Sequence, residues 1–228
     1  MDRATLFERP PGWLNASYLG RVVSLSDPDG NNRIQIRLIA FDGLGEQDAP
    51  IWARVVSPFA GDNRGVFFLP DVDDEVLVVF MNGDVRFPLI IGGLWNGNAQ
   101  SPATIGSEGN RYKVLRSKNG IKLTMDDKQG QETFKLETPG GQKVTLKDGP
   151  GSITIEDSNG NSIKMESAGI TIKASAKVTV QAAKVDVTAG MVNVDTAMAK
   201  FSGMVKCEVL QATSVIATSY TPGAGNIW

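Results

Sequence analysis

Short alternations of apolar and polar residues run along most of this chain, with small or polar residues between them. The most regular stretch is VTVQAAKVDVTAGMVNVDTA (178–197), in which a V-x-V triplet recurs every seven residues. Alternation with a period of two predicts a strand that has one buried face and one solvated face. A unit with only two inward side chains cannot form a core alone, so such units must stack on one another.

The same alternation begins upstream, beyond Tyr112, in IKLTM, FKLE, KVTLK, SITIE, SIKM and ITIK. From Ile153 onward, the first apolar residues of successive units are ten, seven, eight, seven and seven residues apart. Cys207, in VKCEV, has the inward phase of Val205 and Val209 and is predicted to be a small buried apolar side chain. The predicted buried column consists of Ile153, Ile155, Ile163, Ile170, Ile172, Val178, Val180, Val185, Val187, Val192 and Val194.

Two arrangements can bury this column. In a single-chain solenoid, three units would close one coil of roughly 21 to 24 residues, whereas in an intertwined trimer each chain would supply one side of a triangular prism. The trimer leaves no lateral sheet edge exposed, and β-branched Val and Ile suit a narrow prism interior. The periodicity by itself leaves both arrangements open.

The region from Leu19 to Trp95 contains longer apolar runs, separated by turn signals such as SDPDGNN and NGD. The runs are LGRVVSL, RIQIRLIAF, IWARVVS, VFFLP, DEVLVVFM and RFPLIIGGL. They predict five or six antiparallel strands. That pattern within residues 17–96 is typical of a small Greek-key barrel such as an OB-fold, so the predicted fold class is all-β.

The charged residues change type near residue 112. All ten arginines lie between Arg3 and Arg116, and all thirteen lysines lie between Lys113 and Lys206. A change this sharp indicates a domain boundary. Residues 97–112, rich in Gly, Ser and Asn, are the predicted linker between the OB-fold domain and the repeat region 113–219.

The composition limits the available chemistry. The chain of 228 residues has no histidine, one cysteine and a net charge of −2. The absence of histidine removes the commonest general base and the commonest transition-metal ligand. The first residues lack the apolar segment of a signal peptide, and no apolar run could span a bilayer. We therefore expect a soluble, non-exported protein that is not an enzyme and has no cofactor or metal.

Three local features suggest other functions. An OB-fold could bind nucleic acid, but residues 1–111 carry nine arginines, no lysine and fourteen Asp or Glu, the opposite of what a phosphate groove needs. A single-chain solenoid acting on polysaccharide would need paired carboxylates, for which Asp126 and Asp127 are candidates. The cluster DVDDE (71–75) could bind a cation, although it lacks EF-hand spacing and is better explained as a solvated strand start.

Residues 17–96 resemble a known family. The motifs are the W-A-R start, the AG…RG…F-x-P turn, the D-E-V-L-V-x-F strand and the G-D-x-R-x-P-x-I-I-G hairpin. They lie in LGRVVSLSDPDGNNRIQIRL and WARVVSPFAGDNRGVFFLPDVDDEVLVVFMNGDVRFPLIIGGLWN. Together these stretches resemble the baseplate assembly protein V family of tailed phages, the central spike of contractile injection machines. That family is related to the C-terminal part of the VgrG spikes of type VI secretion.

The resemblance implies an OB barrel followed by an intertwined trimeric β-helix, here residues 113–219. It implies a homotrimeric, membrane-piercing spike in the baseplate of a phage tail or injection particle, made in the bacterial cytoplasm. The implied partners are a baseplate hub protein, a PAAR-type tip protein and the target cell envelope. Some relatives carry an inserted lysozyme domain, for which there is no room between Trp95 and Tyr112, and some bind iron through His-x-His, which this chain lacks.

The two ends of the chain carry the expected docking residues. The N-terminal arm (1–16) contains Trp13, which could pack on the hub or could belong to an ordinary frayed terminus. The C-terminal tip segment (220–228) ends in Asn226, Ile227 and Trp228. These residues could form an apolar platform for a tip protein, or three tails could fold back and plug their own prism. Both pairs of alternatives are open.

Overall fold

The structure, a computed structural model, describes residues 14–41, 49–107 and 109–219. These residues form fourteen strands and two short 3-10 turns, Ile39–Phe41 and Met81–Gly83. The predicted all-β class is confirmed. The chain divides into two compact units between Val178 and Thr179. Neither helical turn in the described part of the chain has the length or apolar character of a bilayer-crossing helix.

The first region contains a closed five-stranded barrel. Its strands are β1 (Tyr18–Ser24), β2 (Ile34–Leu38), β3 (Ile51–Val55), β4 (Ala60–Gly61), β5 (Arg64–Gly65), β6 (Glu75–Phe80) and β7 (Pro88–Leu94). The barrel order is β1-β2-β3-β7-β6, while β4 and β5 form a separate small hairpin. The prediction of purely antiparallel strands is wrong at one place, because β3 and β7 pair in parallel to close the barrel.

The barrel core follows the alternation seen in the sequence. In β6, Val76, Val78 and Phe80 are buried, while the residues between them are partly exposed. The buried core as a whole consists of Val22, Ile34, Ile36, Ala53, Val76, Val78, Phe80 and Ile90. A Cβ at Gly20, where β1 crosses this core, would lie 3.1 Å from a Val78 methyl carbon, so a larger residue there would require the Val78 side chain to shift by a few tenths of an ångström.

The run VFFLP (66–70) is not a strand, contrary to its apolar pattern. Phe67 and Phe68 are 69% and 68% exposed. The backbone of Val66 is instead bonded within the loop: its N–H donates to the Phe59 carbonyl (3.2 Å), and its carbonyl accepts from the Ser57 hydroxyl (2.7 Å). Since both groups are already used, Val66 is not available to a barrel ladder.

The second region is an antiparallel meander. Its strands are β8 (Tyr112–Arg116), β9 (Lys122–Asp126), β10 (Thr133–Glu137), β11 (Lys143–Lys147), β12 (Ser152–Glu156), β13 (Ser162–Glu166) and β14 (Gly169–Lys173). Each strand pairs with its neighbours in sequence, so the sheet order is β14 through β8. Glycines with positive φ at 120, 130, 141 and 160 lie in the connections and permit the tight reversals.

Beyond Lys173 the described residues contain no strand pairing within the chain. The two glycines of this stretch, Gly190 and Gly203, do not have the positive φ seen in the hairpin turns. The resemblance implies one interwound repeat over 113–219. In the single chain, residues 112–173 form a sheet that is paired within the chain, whereas residues 174–219 form an extended, bent segment without strand pairing.

The β1–β2 connection is fixed by one carboxylate. Asp27 accepts hydrogen bonds from the backbone N–H groups of Asp29 (3.1 Å), Asn31 (2.9 Å) and Arg33 (3.0 Å). It also pairs with the Arg33 guanidinium at 2.6 Å, and its side chain is only 3% exposed. The Arg33 guanidinium is the main cause of an Asp27 pKa far below the ordinary value, and partial burial opposes it.

We expect Asp27→Asn to weaken this loop at neutral pH, and the difference from wild type to become smaller as the pH falls below about 3.8. Because the folded-state pKa is lowered, ionised Asp27 stabilises the loop fully above the unfolded-state pKa of about 3.8. This contribution decreases below that pH and is lost only as the pH falls through the much lower folded-state pKa. Amide hydrogen-exchange protection of residues 28–33 measures the effect. The control is Asp29→Asn, which removes one carboxylate partner of Arg33 but none of the three bonds that backbone N–H groups donate to Asp27. A pH-independent difference between variant and wild type would contradict the prediction.

Candidate functional site

One face of the second-region sheet carries two apolar columns. Residues two apart on a strand share a face, and in-register pairing continues that face across all seven strands. The first column runs through Leu115, Leu123, Leu136, Val144, Ile155, Ile163 and Ile172. The second column runs through Met125, Phe134, Leu146, Ile153, Met165 and Ile170. We call these thirteen residues the apolar face.

The apolar face is largely uncovered in the single chain. Ten of its thirteen side chains are more than a third exposed. Ile155 is 44% exposed in the middle of the sheet, and Ile170 and Ile172 reach 70% and 65% on the edge strand β14. A contiguous apolar surface of this kind marks an interface in a soluble protein. The face is therefore the main candidate site of this region.

The opposite face of the same sheet is polar. Its central column consists of Val114, Thr124, Lys135, Thr145, Thr154, Lys164 and Thr171. Lys135 pairs with Glu137 at 2.7 Å, and Lys164 pairs with Glu166 at 2.6 Å. The Lys135 ammonium holds the pKa of Glu137 below its ordinary value. The sheet is thus amphipathic, although Lys113, in register with Met125, places one charge at the β8 edge of the apolar face.

An open groove of about 520 Å³ runs along the distal part of the apolar face. Its apolar lining includes Leu136, Val144, Ile155, Ile163, Ile172 and Val178. Of the residues predicted from the repeat, Ile155, Ile163, Ile172 and Val178 therefore meet in one groove. A concave apolar strip with neighbouring exposed isoleucines can accept another apolar strip.

The predicted buried column lies partly on the sheet and partly in the extended segment. Ile153, Ile155, Ile163, Ile170 and Ile172 lie on the apolar face. Because β13 and β14 are antiparallel, Ile163 faces Ile172 and Ile170 faces Met165. The predicted valines beyond the groove lie in the extended segment and are 60–73% exposed: Val180, Val185, Val187, Val192 and Val194.

Sequence reasoning missed the proximal half of the apolar face. Leu115, Leu123, Phe134, Leu136 and Leu146 extend it toward the barrel. The signal was present, because the period-two alternation of IKLTM, FKLE and KVTLK is the same as that of SITIE. Only the in-register pairing shows that these runs form one continuous surface.

A small hydrogen-bond cluster fixes the point where the chain leaves the sheet. Asp157 accepts hydrogen bonds from the Asn159 and Asn161 backbone N–H groups, both at 2.9 Å, and from the Asn161 side-chain amide at 2.7 Å. The Asn161 amide oxygen in turn accepts from the Ser175 backbone N–H at 2.8 Å. These bonds tie the first residues after β14 to the β12–β13 turn, which directs the chain toward the extended segment.

The candidate carboxylate pair for polysaccharide chemistry is occupied by cations. Asp126 pairs with Arg111, and Asp127 pairs with Lys113 at 2.6 Å. The bond from the Arg111 side chain lowers the pKa of Asp126, whereas a glycosidase general acid needs a raised pKa. This geometry does not support the polysaccharide hypothesis.

The acidic cluster of residues 71–75 shapes a turn. The Asp74 carboxylate accepts a hydrogen bond from the Asp71 N–H at 2.8 Å, and Asp73 pairs with Arg21 at 2.8 Å. Arg86, another arginine of the barrel region, is also ion-paired, with Asp84 at 2.6 Å. Within the described ranges, no group of three or more His, Cys, Asp or Glu residues is placed to hold a metal ion.

An OB-type barrel followed by an amphipathic β region with an uncovered apolar face defines an all-β structural protein built for assembly. Residues 18–95 match the type VI secretion system/phage-baseplate injector OB domain. Residues 133–199 match the phage baseplate V C-terminal trimerisation domain. The chain therefore belongs to the phage baseplate V family of spike proteins, and its trimerisation domain supports a homotrimer.

Curated relatives are VgrG spike proteins. The chain is 33% identical over 96 residues to type VI secretion system spike protein VgrG4b of Pseudomonas aeruginosa, covering 40% of this chain and 12% of that protein. It is 31% identical over 111 residues to VgrG5 of the same organism, covering 46% and 14%. It is also 31% identical over 97 residues to the actin cross-linking toxin VgrG1 of Vibrio cholerae, covering 40% and 9%. These matches span less than a sixth of the relatives' lengths.

The predicted docking residues at the two ends lie outside the described residues. Trp13, predicted for the hub, precedes Leu14, the first described residue. Asn226, Ile227 and Trp228, predicted for the tip protein, follow the last described residue, Ser219. Both assignments stay predictions.

Proposed function

We propose that this chain is the non-enzymatic central spike of a contractile injection machine, acting as a homotrimeric needle that is driven through a membrane. The observation that carries the proposal is the apolar face. It is continuous over seven strands, exposed in the single chain and overlaps the match to a trimerisation domain. The barrel matches the family's OB domain, so the chain contains both of the domains that the family models describe.

Burial of the apolar face gives the driving force for assembly. Three sheets can turn their apolar faces to a common axis and their charged faces to water, which is the arrangement that the two surfaces favour. Each fully buried Ile, Leu or Phe side chain contributes about 1.5–3 kcal/mol, so a face of thirteen residues can hold a trimer firmly. The partly solvated extended segment would then find its missing strand partners in sister chains.

The mechanical role follows from such an interwound assembly. A strand whose hydrogen-bond partners belong to two other chains cannot leave without disturbing both of them. We therefore expect slow unfolding and persistence in detergent, properties that a rod needs when it is pushed through an envelope. The function needs no reactive group, in agreement with the ion-paired carboxylates Asp126 and Asp127.

The proposed partners and place follow from the family. The barrel end would dock a baseplate hub, with Trp13 contributing, and the distal end would carry a PAAR-type tip protein on Asn226, Ile227 and Trp228. The proposed location is the baseplate of a phage tail or injection particle, with synthesis in the bacterial cytoplasm. These proposals rest on the resemblance and on the apolar side chains of Trp13, Ile227 and Trp228.

The mass of the purified particle tests the proposed assembly. We expect sedimentation equilibrium to give three times the chain mass of 24.4 kDa. We also expect a trimer band on unheated SDS gels that converts to monomer on boiling, because the interwound part should unfold slowly. A monomer in both measurements would overturn the spike proposal. A monomer that bound polysaccharide or oligonucleotide at 0.15 M salt would point to the rival functions instead.

A further inference from the structure

The extended segment changes its repeat length along its course. Its backbone bends divide it into units, and two of the bends span two residues each, at 175–176 and 202–203. The bends lie at Ala176, Ala183, Gly190, Ala197, Gly203, Glu208, Thr213 and Thr218. The first four bends are seven residues apart, the fifth follows after six residues, and the last three follow at intervals of five residues.

Both repeat lengths require a bend for the same reason. In a straight strand, alternate side chains share a face, so a step of seven or five residues moves the next inward residue to the opposite face. A bend in each unit restores the inward direction. The regular bends therefore show that one face of the chain is kept in a constant direction through both parts.

Side-chain exposure identifies that face. The residue two positions after a bend has nearly the same exposure wherever it is valine: 59% at Val178, 60% at Val185 and 63% at Val192. In the five-residue part the value is 60% at Val205 and 63% at Val215. Residues one or three positions after a bend are more exposed, as Met204 at 94% and Ile216 at 101% show. The inward phase thus continues unchanged across the switch in repeat length.

The bend at Glu208 also corrects one prediction. An uninterrupted strand would give Val209 the phase of Val205 and Cys207. Val209 instead comes directly after the bend and is 84% exposed, in the range of the outward residues. The inward residue of that unit is Leu210, at 73%.

The second inward residue of each unit becomes smaller where the repeat shortens. In the three seven-residue units it is Val180, Val187 and Val194, and in the six-residue unit it is Phe201. In the five-residue part it is Cys207, Ala212 and Ala217. At about 3.3 Å per residue, the backbone between bends shortens from about 23 Å to about 17 Å. If each stretch of backbone between two bends forms one side of a triangular prism, a shorter stretch and smaller inward side chains both give a narrower prism.

We infer that the interchain core continues past residue 199, where the trimerisation-domain match ends, as a narrower prism with five residues per side over 203–218. This inference rests on the proposed trimer. The occupant of the inward face is a second and third copy of this chain, because the same face continues without a change of phase from the matched trimerisation domain. The needle therefore tapers toward its distal end.

Hydrogen exchange measured on the full-length particle tests whether a core exists there. Amides paired between chains exchange slowly, so peptides covering 203–218 should exchange at least about 100-fold more slowly than an unstructured chain, as peptides covering 176–200 should. If the particle is a trimer with only 176–200 protected, the distal core is overturned and the spike proposal stands. If the particle is a monomer, both proposals are overturned.

A matched pair of double variants tests the narrowing. The native six-residue unit before the narrow part contains Ala199-Lys200-Phe201, with alanine and phenylalanine as its inward pair. Val205→Ala/Cys207→Phe builds this unit in the narrow part, and Val192→Ala/Val194→Phe builds the same inward pair in the wide part. Overpacking disrupts a close-packed interior, so the distal variant should exchange at least about tenfold faster over 203–218.

The proximal variant should keep exchange over 176–200 within about twofold of wild type. Equal tolerance of the two variants would show a core of uniform width and overturn the taper. Greater sensitivity of the proximal variant would overturn it as well. Ala182→Val, at a position between inward residues of the wide part, controls for adding a branched side chain to the extended segment.

Discussion

Replacing Ile155 by aspartate is expected to abolish trimer formation while leaving the single chain folded. Ile155 pairs in register with Val144 and Ile163 in the middle of the apolar face. In the single chain it is 44% exposed, so an aspartate there stays in contact with water. In a trimer, three carboxylates would be buried close to one another. Burial of an unpaired charge costs several kcal/mol per ion even after relaxation, which exceeds what the face can compensate locally.

The neighbouring residue supplies the matched control. Thr154 lies on the polar face, opposite Lys164 and Thr145, so Thr154→Asp introduces the same charge next to a lysine. We expect this variant to sediment as a trimer and to remain resistant to unheated SDS. Circular dichroism should show β structure in both variants. If Ile155→Asp still forms trimers, the apolar face is not the assembly surface, and the proposed function loses its main support.

Replacing Ile90 by alanine is expected to destabilise the barrel by about 2–5 kcal/mol, the usual range for truncating a buried isoleucine. Ile90 is 1% exposed and belongs to the buried core that also contains Val78 and Ala53. Truncation removes three methyl or methylene groups and leaves a cavity that the closed barrel cannot fill by collapse. The unfolding transition of the barrel, followed by urea denaturation, measures the change.

Ile91 is the control for this experiment, because it is the next residue on the same strand and is 46% exposed. The same truncation at Ile91 should cost less than about 1 kcal/mol, since little buried surface is lost. The Ile90→Ala chain should still assemble, because the apolar face belongs to other strands. Equal effects at both positions would show that the alternation does not separate core from surface in β7.

The two predictions address two independent parts of the molecule. The barrel is stabilised within one chain by eight buried side chains, and its defects should appear as lost folding stability. The second region has no buried apolar residue in the single chain, so its defects should appear as lost assembly. A variant that changes one readout without the other would show that barrel folding and trimer formation are separate steps.

The sequence by itself determined the strands, their faces and the family motifs. Period-two alternation is a local property, so it placed Ile153 and Ile155 on one face without any knowledge of the pairing. The motifs between residues 17 and 96 were sufficient for the resemblance, and the matches over 18–95 and 133–199 agree with it. The absence of histidine was likewise visible at once.

Only the tertiary structure decided which strands pair. The parallel closure of β3 on β7 joins residues about 35 apart in sequence, and nothing local to Arg54 or Leu89 encodes it. The loop bonds of Val66 override the apolar pattern of VFFLP. Hairpin turns reverse each strand of the second region, so Ile163 meets Ile172 and not Ile170. Pairing depends on turn geometry and on distant partners, whereas alternation depends only on the residue itself and its neighbours.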